Sequence, residues 1–137
     1  MKRIYIDGGS RGNPGQGAIG IVGFENNREI YRYGRKIGRC TNNYAEYTAL
    51  IEALKYILGS KQSGLENQII IYSDSELLVN QIRGTYRVKN QNIAPLYREA
   101  KELLEKLENV QIEHVRRENN CTADRIVNRV LDSKPYF

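Results

Sequence analysis

The sequence predicts one α/β domain over residues 1–137, a mixed sheet covered by helices on both faces. Three observations lead there. Three strand-like runs come in succession; helix-like and strand-like segments then alternate; and one late run, Ile69-Ile70-Ile71-Tyr72, is apolar without a break, as in a strand covered on both sides. A meander followed by crossovers makes the sheet mixed.

Lys2 to Ile6 is the first strand, ending at Asp7-Gly8-Gly9, and Ala18 to Phe24 is the second, studded with Gly20 and Gly23. Asn26-Asn27 can take the positive φ angles of a tight hairpin turn. Arg28 to Ile37 then alternates Ile30, Tyr31 and Tyr33 among basic residues as a third strand. From Tyr47 the period changes: Tyr47, Leu50, Ile51, Leu54, Ile57 and Leu58 recur at helical spacing, and Gly59 supplies a stop. After the fourth strand, a short helix starts at Ser75 and ends near Gly84. Ile93, Leu96, Tyr97, Ala100, Leu103, Leu104 and Leu107 mark a longer amphipathic helix, with Lys101, Glu102, Glu105 and Lys106 on its wet face. Val110 to Val115 is the fifth strand, and Ala123, Ile126, Val127, Val130 and Leu131 close the domain as a helix.

Composition narrows the function classes. With 40% hydrophobic and 27% charged residues, a chain of 137 residues builds its own core. Its apolar runs fall far short of the ~20 residues of a spanning helix. Met1-Lys2-Arg3 meets Asp7 too soon for a signal-peptide core, and Cys40 and Cys121 form no CxxC pair, so a cytoplasmic setting without disulfide or zinc scaffolding is expected. Residues 1–40 carry eight basic and three acidic side chains, the whole of the +5 net charge. That asymmetry points to an anionic partner such as nucleic acid, with Arg28, Arg32 and Arg35 as candidate phosphate contacts; a solvated basic strand is the alternative.

Four acids stand where structure alone would not choose them. Asp7 and Asp74 end strand-like runs, and ligands gather at strand ends in α/β sheets. Glu46 lies beside the apolar face of the first helix, and Asp124 precedes Val127 and Leu131 by helical spacings, so both point toward the sheet. Ordinary roles are open to each: Asp74 as a helix N-cap, Glu46 answering Asn43 in a capping box, Asp7 shaping a turn, Asp124 at a helix dipole. If the four converge, they must protonate or hold cations, and an all-oxygen set favours Mg²⁺ or Mn²⁺. A basic surface beside clustered carboxylates indicates metal-dependent phosphoryl transfer.

Four segments carry a resemblance: Asp7-Gly8-Gly9-Ser10-Arg11-Gly12-Asn13-Pro14-Gly15, Thr41-Asn42-Asn43-Tyr44-Ala45-Glu46, Tyr72-Ser73-Asp74-Ser75, and Arg117-Glu118-Asn119-Asn120 leading to Ala123-Asp124. Together, and in this order, they resemble the ribonuclease HI family. The resemblance implies a ribonuclease H-like fold, a five-stranded mixed sheet with its first three strands antiparallel. It also implies an endonuclease that cuts the RNA strand of RNA–DNA hybrids, leaving 5′-phosphate and 3′-hydroxyl ends. Asp7, Glu46, Asp74 and Asp124 then correspond to four carboxylates that hold two Mg²⁺ ions. Asn13, Asn42 and Asn43 correspond to loop residues that touch the hybrid, and Gly8 leaves room for the RNA backbone.

Three departures from the family pattern qualify the substrate contacts. Glu76 stands where many relatives carry Gln, replacing a donor by an acceptor. The stretch from Gly84 to Ile93 lacks the basic protrusion some members use to grip hybrid, which shifts the expected affinity to the basic hairpin, Arg87 and Lys89; no separate hybrid-binding domain is expected either. Arg117 stands where some relatives place a histidine; it stays protonated and acts electrostatically rather than as a base. His114, on the alternating fifth strand, is expected to be structural. The expected protein is a monomeric hydrolase with RNA–DNA hybrid as its partner. The alternatives are a non-catalytic nucleic-acid-binding module of the same fold and a nuclease that also cuts double-stranded RNA.

Overall fold

The computed structural model describes residues 1–60 and 68–137. β1 (Lys2–Arg11), β2 (Gly15–Glu25) and β3 (Arg28–Cys40) form the meander; α1 (Asn42–Gly59) crosses to β4 (Ile69–Ser73), and α2 (Glu76–Ile82) and α3 (Ala94–Glu105) lead to β5 (Val110–His114). A 3-10 turn, Arg117–Asn119, precedes α4 (Cys121–Leu131). The sheet order is β3-β2-β1-β4-β5, antiparallel among the first three strands and parallel from β1 to β4 and β4 to β5. The expected five-stranded mixed sheet is therefore the one observed.

The period of two along β2 serves two cores at once. Ile19 and Ile21 join Ile4, Ile6 and Ile71 beneath Tyr47, Leu50 and Leu54 of α1, with α2 and α3 beside it. Ala18 and Val22 face the other way, against Ala123, Ile126 and Val127 of α4. Gly20 lies where α4 comes nearest: a Cβ there would stand 2.6 Å from the Ala123 carbonyl oxygen, so only glycine admits the helix at this depth. Helices thus cover both faces.

Several local expectations need correction. β1 does not stop at Ile6 but continues through Asp7, Gly8 and Gly9 to Arg11, because each of these residues pairs with β2. α1 starts at Asn42, five residues before the apolar periodicity begins; Thr41 is its N-cap, its hydroxyl accepting from the Tyr44 N–H at 3.2 Å. Neither Asn43 nor Glu46 is used in that cap. Ser75, not Asp74, caps α2, accepting from the Leu78 N–H. Leu58 is exposed, and the buried face of α1 includes Ala45, Ala49 and Ala53. β4 is only half covered on its second face, where Tyr72 stacks on Tyr5 at 4.9 Å rather than under a helix. The hairpin at Asn26-Asn27 is as expected, with φ of 50° and 67°.

Candidate active site

The β1–β4 ladder ends at Ile6 and Ser73, and the chain places a carboxylate immediately after each. A cavity of about 270 Å³ opens there, lined by Asp7 from β1, Glu46 from α1, Asp74 from the β4–α2 link and Asp124 from α4, with Arg117 on its wall. Side-chain alternation sends Asp7 to the α4 side of the sheet, opposite to Ile6, while Glu46 arrives from the α1 side. The four carboxylates thus reach one place from four separate elements.

Their confinement has an electrostatic cost. The Asp7 carboxyl is pushed up to about 8, chiefly by desolvation and then by the charges of Asp74, Asp124 and Glu46, against a hydrogen bond from the Gly8 backbone. Glu46 is pushed up to about 7 by desolvation and by Asp74, opposed by a hydrogen bond from Ser75 and by the charge of Arg117. One Glu46 oxygen, Oε2, is buried with no hydrogen-bond partner.

Three features suit a divalent cation: the all-oxygen donor set, the mutual repulsion and the orphaned Glu46 oxygen. Among the described residues, no group of three or more His, Cys, Asp or Glu side chains stands ready-made as a metal cage. The carboxylates fit such an ion in kind and charge.

A second cavity, of about 440 Å³, shares Glu46 and Asn42 with the first and adds Asn13, Thr41, Asn43 and Asn90. All three asparagines expected from the sequence therefore border it. Two of them are also structural: Asn13 Oδ1 accepts from the Asn42 N–H at 3.0 Å, and Asn42 Oδ1 accepts from the Ser10 N–H at 2.9 Å, tying the β1–β2 turn to the start of α1. Asn90 was not singled out from the sequence, since one asparagine in the polar stretch before α3 gives no periodic or motif signal.

Other expectations are revised. Gly8 is buried and lines the carboxylate cavity, and a Cβ there would meet the Ala45 carbonyl carbon and oxygen at 2.3 Å, so the approach of α1 by itself requires its smallness. Glu76 is exposed at the start of α2 and lines neither cavity. His114 is exposed on β5 and lines neither cavity. Four of the eight basic side chains of residues 1–40 are ion-paired, Lys2 with Glu25 among them. Arg32 donates to Glu29 at 2.8 and 2.9 Å and to the Tyr136 carbonyl, Arg35 pairs with Glu52 of α1 at 2.9 Å, and Arg11 pairs with Asp132 beyond α4. The neutralising acids Glu52 and Asp132 lie outside residues 1–40, which is why a count along the chain could not reveal them.

A family model described as reverse transcriptase-like matches residues 5–130. The solved structure of LC11-RNase H1, isolated from compost, superposes with a TM-score of 0.92 at 35% identity, covering 97% of this chain and 96% of that one. This chain belongs to the ribonuclease H type 1 family. Ribonuclease HI of Halobacterium salinarum is 38% identical over 129 residues, 93% of this chain and 63% of that protein. A bifunctional protein of Mycobacterium tuberculosis is 36% identical over 132 residues, 95% of this chain, which spans only 35% of that relative's length. LC11-RNase H1 has also been solved in complex with an RNA/DNA hybrid; that structure superposes with a TM-score of 0.89 at 35% identity, over 97% of this chain and 98% of that one. Within this ribonuclease H fold, the carboxylate cavity sits at the carboxyl end of the parallel β1–β4 ladder, where open α/β sheets gather their ligands.

Proposed function

We propose that this chain is an endoribonuclease that hydrolyses the RNA strand of RNA–DNA hybrids, with Mg²⁺ or Mn²⁺ as cofactor, leaving 5′-phosphate and 3′-hydroxyl ends. One observation carries the reading: Asp7, Glu46, Asp74 and Asp124 come from four separate elements to one cavity. The hybrid complex of LC11-RNase H1 supports the substrate class.

The four carboxylates would hold two divalent cations, which when bound stabilise charge on the attacking and departing oxygens of an in-line displacement. Without cations, the same cavity repels phosphate, because among the described residues the four acids share it with only two basic side chains, Arg117 and the rim residue Arg11, itself paired with Asp132. Arg117, on the cavity wall, offers a guanidinium that steadies anionic groups rather than a base. Asn13, Asn42 and Asn43 offer amides that both donate and accept, suited to the ribose 2′-hydroxyl that distinguishes RNA. Arg87 and Lys89, exposed just before Asn90, extend that edge with positive charge.

The test is a cleavage assay on matched RNA–DNA hybrid, double-stranded RNA and double-stranded DNA, with and without Mg²⁺. Cleavage of only the RNA strand of the hybrid, abolished by chelator, is expected, with end-group mapping to read the termini. Binding without cleavage would favour a non-catalytic module; undiminished cleavage in chelator would remove the metal role; cutting of double-stranded RNA would widen the substrate class.

A further inference from the structure

Asn120 is the best-placed polar residue that the mechanism leaves unused. It is 1% exposed, and although it occupies the N-cap position of α4, its side chain makes no cap. Its amide nitrogen instead donates to the Ile6 carbonyl at 2.9 Å and to Asp74 Oδ2 at 3.3 Å. Ile6 is the last β1 residue in the parallel ladder and directly precedes Asp7. The backbone of Asn120 reaches two further members of the site: its N–H donates to the Arg117 carbonyl at 3.0 Å, and its carbonyl accepts from the Asp124 N–H at 3.1 Å.

We infer that Asn120 is a positioning residue that sets Asp74 relative to Asp7 and Asp124, and so sets the affinity of the carboxylate cavity for a divalent cation. This rests on the proposed function, whose cavity it organises. The chemistry is specific to a primary amide. Both N–H bonds point at acceptors, one neutral and one anionic, and an oxygen in that place would be repelled by both. The amide oxygen, Oδ1, is left buried and unpartnered, so the side chain is held by its donor end alone. A residue serving only the stability of α4 would be expected to cap the helix instead.

The experiment measures Mg²⁺ binding, not hydrolysis, by following thermal unfolding against Mg²⁺ concentration for wild type, Asn120→Ala, Asp74→Asn and the double variant. Asn120→Ala should raise the half-saturating Mg²⁺ concentration by about tenfold, and in the Asp74→Asn background it should add little, since the two act through one contact. At saturating Mg²⁺, kcat should fall while KM for hybrid stays within about threefold. If Asn120→Ala does not fold, Asn120→Ser, which keeps one donor, should show an intermediate shift in Mg²⁺ midpoint. A lower melting temperature with an unchanged Mg²⁺ midpoint, or full additivity with Asp74→Asn, would overturn the inference. Wild-type protein that takes up no Mg²⁺ would overturn the functional reading and this one with it; binding by wild type and variant alike would overturn this one alone.

Discussion

Asp7 and Asp74 follow directly on Ile6 and Ser73, the last pair of the parallel ladder, and the charge of Asp74 is the foremost of the three that raise Asp7. A parallel ladder that ends in register on both strands therefore delivers two acids side by side. Everything proposed for the site begins with that repulsion.

The first expectation concerns pH. Asp7 and Glu46 titrate at about 8 and about 7 in the folded chain, above their ordinary values near 4. The fold thus favours their neutral forms. Stability of the metal-free protein from these groups is complete below about pH 4 and is lost as pH rises through about 7 to 8. Mg²⁺ should raise the melting temperature more at about pH 8.5 than at about pH 5.5. Thermal unfolding with chelator or with Mg²⁺ across that range checks this, and equal Mg²⁺ gains at both ends would contradict it. Asp7→Asn should remove much of the metal-free pH dependence.

Asp74→Asn preserves shape but deletes one of the charges facing Asp7. Cleavage of hybrid should fall by on the order of 10³-fold or more, with hybrid binding retained. Single-turnover rates and a binding titration on the same preparation separate the two, and near wild-type cleavage would show the site to be misassigned.

The paired arginines change what neutralising the basic hairpin should do. Arg32 and Arg35 already hold Glu29 and Glu52, so Arg28→Gln, Arg32→Gln and Arg35→Gln together should lower stability more than hybrid affinity. Each phosphate contact contributes about 0.7–0.9 to the log–log salt slope. The triple variant should lose no more than about one such contact, whereas Arg87→Gln with Lys89→Gln should lose up to about two. A salt titration of both variants decides; a loss of three contacts in the hairpin variant would restore it as the phosphate-binding surface.

Gly8→Ala should be disproportionately harmful for one methyl group. The added carbon meets backbone at 2.3 Å and the Glu46 nitrogen at 2.6 Å, neither of which can rotate away. A loss of about 1–3 kcal/mol is expected in denaturant unfolding. Because the clash displaces the segment carrying Glu46, the Mg²⁺ midpoint should rise as well. An unchanged midpoint in a folded variant would show that α1 yields without moving its carboxylate.

How much of this was legible in the chain differs by level. Strand and helix identities were, because periods of two and 3.6 are properties of consecutive residues: Ile69 to Tyr72 and Leu50 to Ile57 announce themselves. The four carboxylates were legible as anomalies, since Asp7, Glu46, Asp74 and Asp124 stand beside apolar positions where an unpaired charge is unfavourable. Element ends were less so. β1 runs on through Asp7-Gly8-Gly9 because β2 supplies hydrogen-bond partners, and no local propensity of Gly-Gly encodes that.

Pairing across the chain was decided only in three dimensions. Arg35 finds Glu52 and Arg11 finds Asp132 because the sheet and its covering helices bring them together, so part of the +5 of residues 1–40 is offset by acids from elsewhere in the chain. Gly8 is small because α1 lies on it, and Asn120 is held because Ile6 and Asp74 both present oxygen to its amide. Periodicity and charge anomalies are written in neighbouring residues. Contacts between residues over a hundred positions apart depend on where the whole sheet places each strand end, and only the folded chain fixes those distances.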